Sequence, residues 1–365
     1  MNNFVYALAT DSNGNLYAGG FFTTSGDVET SYIAKWNGTN WSALDSGMSI
    51  YVYALATDLS GNLYAGGIFT TAGSVSANRV AKWDGSTWSA LDSGMNSDVK
   101  ALAFGSDGNL YAGGSFTTAG GVTVNRVARW NGSTWSALGS GMNSDVNALA
   151  FDSDGNLYAG GNFTTAGGVS ANRIAKWDGS TWSTLDSGIS GPVFAINTDL
   201  SGNLYTGGSF TTAGDVSANR VAKWNGTNWS ALGSGINDRV LTLVNDANGN
   251  LYAGGRFTTA GDVSANRLAI WNGTNWSALG SGLNLTVNAL ETDLSGNLYI
   301  GGEFTTAGGV SANNIAIHNF GELNLYSINT YVNSKFLSAL RNNQTIGVNI
   351  TNTGTCYSTG LFTPL

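Results

Sequence analysis

Between residues 4 and 329, short apolar runs alternate with polar segments rich in Gly, Asn, Asp, Ser and Thr. In the first cycle the run Val5-Tyr6-Ala7-Leu8-Ala9-Thr10 meets the polar turn Asp11-Ser12-Asn13-Gly14-Asn15, and a second run extends from Leu16 to Phe22. A longer polar loop, Thr23 to Ser31, leads to a third run, Tyr32-Ile33-Ala34-Lys35-Trp36. Asn37-Gly38 is a turn of the kind that tight hairpins favour. Trp41-Ser42-Ala43-Leu44 forms the fourth run, closed by Asp45-Ser46-Gly47. Runs of this length between turn signals predict strands, and four in succession predict one antiparallel sheet. No sustained 3.6-residue apolar period is present, so helix is expected to be minor.

The cycle repeats. The block Leu16-Tyr17-Ala18-Gly19-Gly20 returns, slightly varied, at Leu63, Leu110, Leu157, Leu204, Leu251 and Leu298, each step being 47 residues. Equal units of this length predict a closed or stacked repeat architecture. A lone four-stranded sheet leaves apolar surface on both faces, whereas radial stacking buries it and closure protects the edges. The expected fold is all-β, a seven-bladed β-propeller of four-stranded antiparallel blades with a short C-terminal extension. The ring covers residues 1–329, with blades beginning near residues 4, 51, 98, 145, 192, 239 and 286. Glycine is costly inside a strand unless another backbone or a large side chain must come close, so the Gly-Gly pair is expected to meet such a neighbour, large rings being available. All 12 Trp fall in the Trp36 and Trp41 registers of copies one to six, where they are expected to fill gaps between blades.

The Gly-Gly at the end of a strand (Gly19-Gly20, Gly66-Gly67), an aromatic on the third strand (Trp36, Trp83) and a Trp on the fourth (Trp41, Trp88) resemble the kelch family of propellers. Kelch usually carries Tyr-Asp where this chain has Trp-Asn-Gly or Trp-Asp-Gly, so the resemblance is kelch-like. The length and regularity of the units also resemble propeller lectins of the tachylectin-2 type. That likeness implies one sugar site per repeat.

Composition narrows the function. A formal net charge of −8 disfavours nucleic acid, whose phosphates call for clustered Lys and Arg. No apolar run reaches the roughly 20 residues of a spanning helix, so membrane insertion is not expected. With one Cys (Cys356) and one His (His318), no intramolecular disulfide or usual zinc site can form, and no cofactor is expected. No secretory leader is legible, since Met1-Asn2-Asn3 runs straight into the first strand. Catalysis is not expected: His318 stands where other copies carry Trp, and no Gly-x-Ser-x-Gly elbow is present. The acids Glu291 and Glu303 both belong to copy seven and are the nearest approach to a carboxylate pair. Asp152-Ser153-Asp154-Gly155-Asn156 has calcium-loop character, but other copies lack the second acid and copy three has Gly105 for the first, which favours a plain hairpin turn.

Binding candidates fall in the loops between the second and third strands. Arg79, Arg126, Arg173, Arg220 and Arg267, preceded by Asn78, Asn125, Asn172, Asn219 and Asn266, would ring one face with hydrogen-bonding groups. Alternatively, these residues satisfy local backbone groups, the usual work of Asn, Ser and Gly in turns. The links between blades vary more: Met48-Ser49-Ile50-Tyr51, Ile189-Ser190-Gly191-Pro192, Ile236-Asn237-Asp238-Arg239.

Copy seven departs from the pattern, with His318 and Leu323 in the Trp slots and a fourth strand expected over residues 322–326. Residues 330–365 are the unique sequence, with a short helix expected at 332–340 and a strand at 345–350. That segment is expected to dock on the ring or anchor the chain to another protein. The functional expectation is a non-enzymatic binding or structural propeller, extracellular, on a cell surface or in a virion. Its partner would be a protein or glycan engaged through repeated equivalent surfaces. The alternatives are a multivalent lectin and, from another class, a polysaccharide-processing enzyme.

Overall fold

The computed structural model describes residues 1–319 and 325–327; Cys356 and the segment 330–365 lie outside them. Among the described residues are seven four-stranded sheets, and no helix. Each sheet is one continuous stretch of chain paired in sequence order. In the first, Val5–Thr10 pairs with Leu16–Gly20, then Ile33–Trp36, then Trp41–Ala43. The first strands of neighbouring blades lie side by side around the axis, blade seven against blade one included. This is a seven-bladed propeller.

The polar loop between second and third strands is more ordered than its composition suggests. It folds into a small two-stranded ribbon in every copy, such as Thr24–Ser25 against Val28–Glu29. Each ribbon from blade two onward bridges to the preceding link, Met48 to Ala72 for example. The ribbon consists of two short strands around a Gly at positive φ, Gly26 in this copy, which is why a loop composition conceals it.

The hydrophobic core is divided among seven seams, each between two adjacent blades. In one, Tyr17 and Ile33 of blade one pack with Leu44, Val52, Phe69, Trp83 and Trp88. The tryptophans lie in the seams as expected, paired at 5.3 Å in blade one (Trp36 with Trp41). Both glycines meet a close neighbour as expected, but at Gly19 that neighbour is not a ring. A Cβ on Gly19 would come 2.5 Å from Cγ1 of Val52 on the next blade's inner strand, so a β-branched side chain, and no aromatic ring, requires the glycine. Gly20 is held against the backbone carbonyl of Phe4 in its own blade.

Ring closure repeats the ordinary seam. Met48 N donates to Ser31 O at 2.9 Å, and Met1 N donates to Asn313 O at 3.3 Å in the corresponding place. Asn314, in the register where copies two to six carry Arg, donates to Met1 O at 3.1 Å. In copy seven the third strand is longer, Ile315–Asn319, and Asn319 pairs with Asn297. The fourth strand is Leu325–Ser327, and Leu325, not Leu323, stands opposite His318. The fourth strand is thus displaced by two residues from the expected register.

Candidate functional site

The Arg and Asn residues singled out in the sequence sit at one end of the blades, but each serves its own blade. Arg79, Arg126, Arg173, Arg220 and Arg267 all have positive φ, between 62° and 70°. Their backbone N–H groups donate back to a buried Phe carbonyl, Arg79 to Phe69 O at 2.8 Å. The guanidinium of Arg79 reaches Met95 O at 3.3 Å, and that of Arg173 reaches Ile189 O at 3.1 Å. Asn78, Asn125 and Asn172 each donate to a Ser carbonyl (Ser93, Ser140, Ser187) at 2.9 Å, and Asn219 and Asn266 do so at 3.1 Å. These bonds staple the start of the third strand to the turn after the fourth. Arg126 Nε is buried without a partner. Asn266 and Arg267 border a cavity of about 310 Å³ with Asn284 and Thr306.

A second group of residues, nearer the axis, is brought together from all seven blades. In every blade the pairing of first and second strands slips by one residue. Val5 pairs with Gly20 and Ala7 with Gly19, so Tyr6 is an unpaired bulge. Such a bulge re-aims a side chain and bends its strand. The bulged residues are Tyr6, Tyr53, Lys100, Asn147, Phe194, Leu241 and Asn288. Most of them line the central channel, a cavity of about 260 Å³.

Two more positions flank each bulge. Phe21 N donates to Phe4 O at 2.8 Å, and the same bond joins Ile68 to Tyr51, Ser115 to Asp98, Asn162 to Asp145, Arg256 to Arg239 and Glu303 to Thr286. These columns form the mouth of the channel. Their residues change from copy to copy while the surrounding repeat stays nearly constant.

The mouth is chemically lopsided. Between blades one and two, six half-buried aromatics form one connected patch. Tyr32 meets Tyr51 at 5.8 Å between ring centroids, Tyr51 meets Phe21 at 4.5 Å, and Phe21 meets Phe4 at 6.4 Å. Tyr6 meets Tyr53 at 5.7 Å. Burial raises the Tyr6 and Tyr53 hydroxyl pKa values, with further push from their neighbours, Glu303 at Tyr6 and Asp98 at Tyr53 among them. Elsewhere on the rim Lys100 Nζ contacts Asp145 at 2.6 Å. Burial alone would raise the Asp145 carboxyl, but the Lys100 hydrogen bond and charge hold it below its ordinary value. Arg256 stands 4.0 Å from Glu303.

The opposite end carries the hairpins between first and second strands. Asp152 Oδ1 accepts from the N–H groups of Asp154 (3.1 Å) and Asn156 (2.8 Å), so its oxygens are engaged by the turn itself. In copy three, where Gly105 replaces that acid, Asp107 takes over and accepts from Asn109 N and Tyr111 OH. Glu291 lies near this end, paired with Tyr299, whereas Glu303 follows the last residue of the same second strand. Four residues of strand separate Tyr299 from Glu303, roughly 13 Å at the usual rise, so the two acids are not brought together. Leu200 and Leu294 stand almost fully exposed beside a cavity of about 750 Å³ between the hairpins of blades five to seven.

Sequence reasoning passed over the mouth because its residues are ordinary strand residues. The signal that could have found it is the change between copies at columns 4, 6 and 21 of an otherwise constant unit, glimpsed only in the variable links.

Residues 87–241 match the family described as the Rax2 C-terminal beta propeller domain. No curated protein matches the sequence. Among solved structures, the chain is similar to the extracellular domain of a one-component system from B. thetaiotaomicron. The two share 13% identity at a TM-score of 0.59, over 86% of this chain and 38% of that one. A second structure, the extracellular domain of the hybrid two-component system of the same name, gives 13% identity, a TM-score of 0.58, and coverage of 87% and 38%. The chain thus spans about two fifths of the length of those two proteins. The WD40 beta propeller domain of Doa1 is similar at 13% identity and a TM-score of 0.58, covering 83% of this chain and 90% of that domain. What these proteins share with the chain is the propeller.

Proposed function

We propose that this chain is a non-enzymatic binding propeller that takes its ligand at the copy-specific mouth, while the repeated parts of the blades serve as scaffold. The observation that carries this is where the copies differ. Bulge, link and second-strand exit vary together and converge on one opening. Outside it, the five Asn side chains of the repeated loops and the Arg79 and Arg173 guanidiniums donate to carbonyls of their own blades. An extracellular or surface setting accords with this reading, since two similar structures are titled as extracellular domains.

Glycan binding in the repeated loops remains the second reading, favoured by the cavity of about 310 Å³ beside Asn266 and Arg267. A parallel screen of glycans and displayed peptides separates the two. Three proteins are compared: the unaltered chain, a mouth variant (Phe21→Ser with Tyr51→Ser) and a loop variant (Asn172→Ala with Arg173→Ala). Ligands lost by the mouth variant and kept by the loop variant support the proposal. Ligands kept by the mouth variant, with binding reduced by one site in the loop variant, overturn it in favour of a multivalent lectin.

A further inference from the structure

Resting on that reading, we infer that the mouth beside blades one, two and seven receives a basic side chain, arginine or lysine, carried by a partner polypeptide. The first argument is the aromatic patch. Its rings are inclined to one another by 55° to 63° at each contact. Faces therefore point in several directions, as suits a compact cation approached from more than one side. A sugar ring stacks best on a single flat platform, which this patch does not offer.

Charge supplies the second argument. The carboxylates acting on the patch are Glu303, at Tyr6, and Asp98, at Tyr53. Two cations of the rim already have partners. Lys100 is paired with Asp145 at 2.6 Å, and Arg256 approaches one Glu303 oxygen at 4.0 Å, the outer limit of an ion pair. Glu303 thus keeps capacity for a second, charge-assisted partner, and a guanidinium fork fits a carboxylate bidentately. The third argument is size. The channel behind the mouth holds about 260 Å³, below the usual range for whole small-molecule ligands, and so admits one long side chain with its backbone left outside.

The test uses two blocked pentapeptides, Gly-Ser-X-Ser-Gly, with X as arginine or its neutral isostere citrulline. Binding to the full chain is followed by NMR of labelled tyrosine rings, with Tyr6 and Tyr53 assigned by Tyr→Phe variants. The arginine peptide is expected to bind about tenfold more tightly than the citrulline peptide, the worth of one partly desolvated cation–π contact. It should shift Tyr6 and Tyr53, and lose several-fold in affinity in Glu303→Gln with an unchanged melting temperature. Equal binding of the two peptides, or shifts confined to other tyrosines, overturns the inference. If neither peptide binds while screened ligands still depend on the mouth, the inference falls and the binding-mouth reading stands. If those ligands map to the repeated loops, both fall.

Discussion

The indole Nε1 of Trp88 donates to the Leu44 carbonyl of the preceding blade at 3.0 Å, with the ring buried in the seam. The same bond recurs from Trp135 to Leu91, Trp182 to Leu138, Trp229 to Leu185 and Trp276 to Leu232. With Thr57 Oγ1 donating to Thr10 O at 2.8 Å across the same seam, it helps to fix the rotation of each blade against its neighbour.

Trp88→Phe removes one of the two hydrogen bonds to the Leu44 carbonyl, which keeps Gly47 N at 3.1 Å, at about 0.5–1.5 kcal/mol. Trp88→Ala adds a cavity, for about 3–5 kcal/mol in total. Equilibrium unfolding in urea should rank the two in that order. No loss in Trp88→Phe would mean that the indole N–H contributes nothing to the seam.

Gly66 meets the next blade as Gly19 does, its Cβ position lying 2.5 Å from Val99 Cγ1. Gly66→Ala is expected to destabilise by about 1–3 kcal/mol through overpacking, and Val99→Ala on the same chain should recover part of that loss. A double variant no better than the sum of the singles would locate the glycine requirement elsewhere.

Glu291 is half-buried at the seam between blades seven and one, where Thr10 donates to it through Oγ1 at 2.9 Å and N at 3.3 Å. Burial pushes its carboxyl up to about 7; the Thr10 bonds oppose the rise and Asp293 adds to it. The folded pKa therefore lies above the unfolded one, so the folded chain keeps a proton that the unfolded chain gives up. Stability from this group is full below the unfolded pKa and is lost as pH rises through about 7. Glu291→Gln should flatten that fall between roughly pH 4 and 7, seen as the difference between the two melting-temperature profiles. Parallel profiles would show that the carboxylate is solvated in the fold.

Much of the fold was legible because the repeat states each local choice seven times. The Leu16 strand agrees in every cycle, and the Asn37-Gly38 turn and the Trp registers agree in the first six. Two features were hidden. The ribbon at Thr24–Ser25 and Val28–Glu29 has too few residues to alternate visibly. The Tyr6 bulge arises from the pairing of two strands, which neither strand's sequence records. The site was less legible for the same reason. Tyr6, Phe21 and Tyr51 are unremarkable until the register slip and the ring bring them to one opening, whereas Arg79 and Asn78, conspicuous by repetition, turn inward to backbone carbonyls.

The central claim is that the working surface is the copy-specific mouth and not the repeated loops. Calorimetric titration of the full chain with a ligand from the screen measures this directly, through the number of sites. The account predicts one site per chain, abolished by Phe21→Ser with Tyr51→Ser. Several equivalent sites per chain, each removed singly by changes such as Asn172→Ala in one blade, would contradict it.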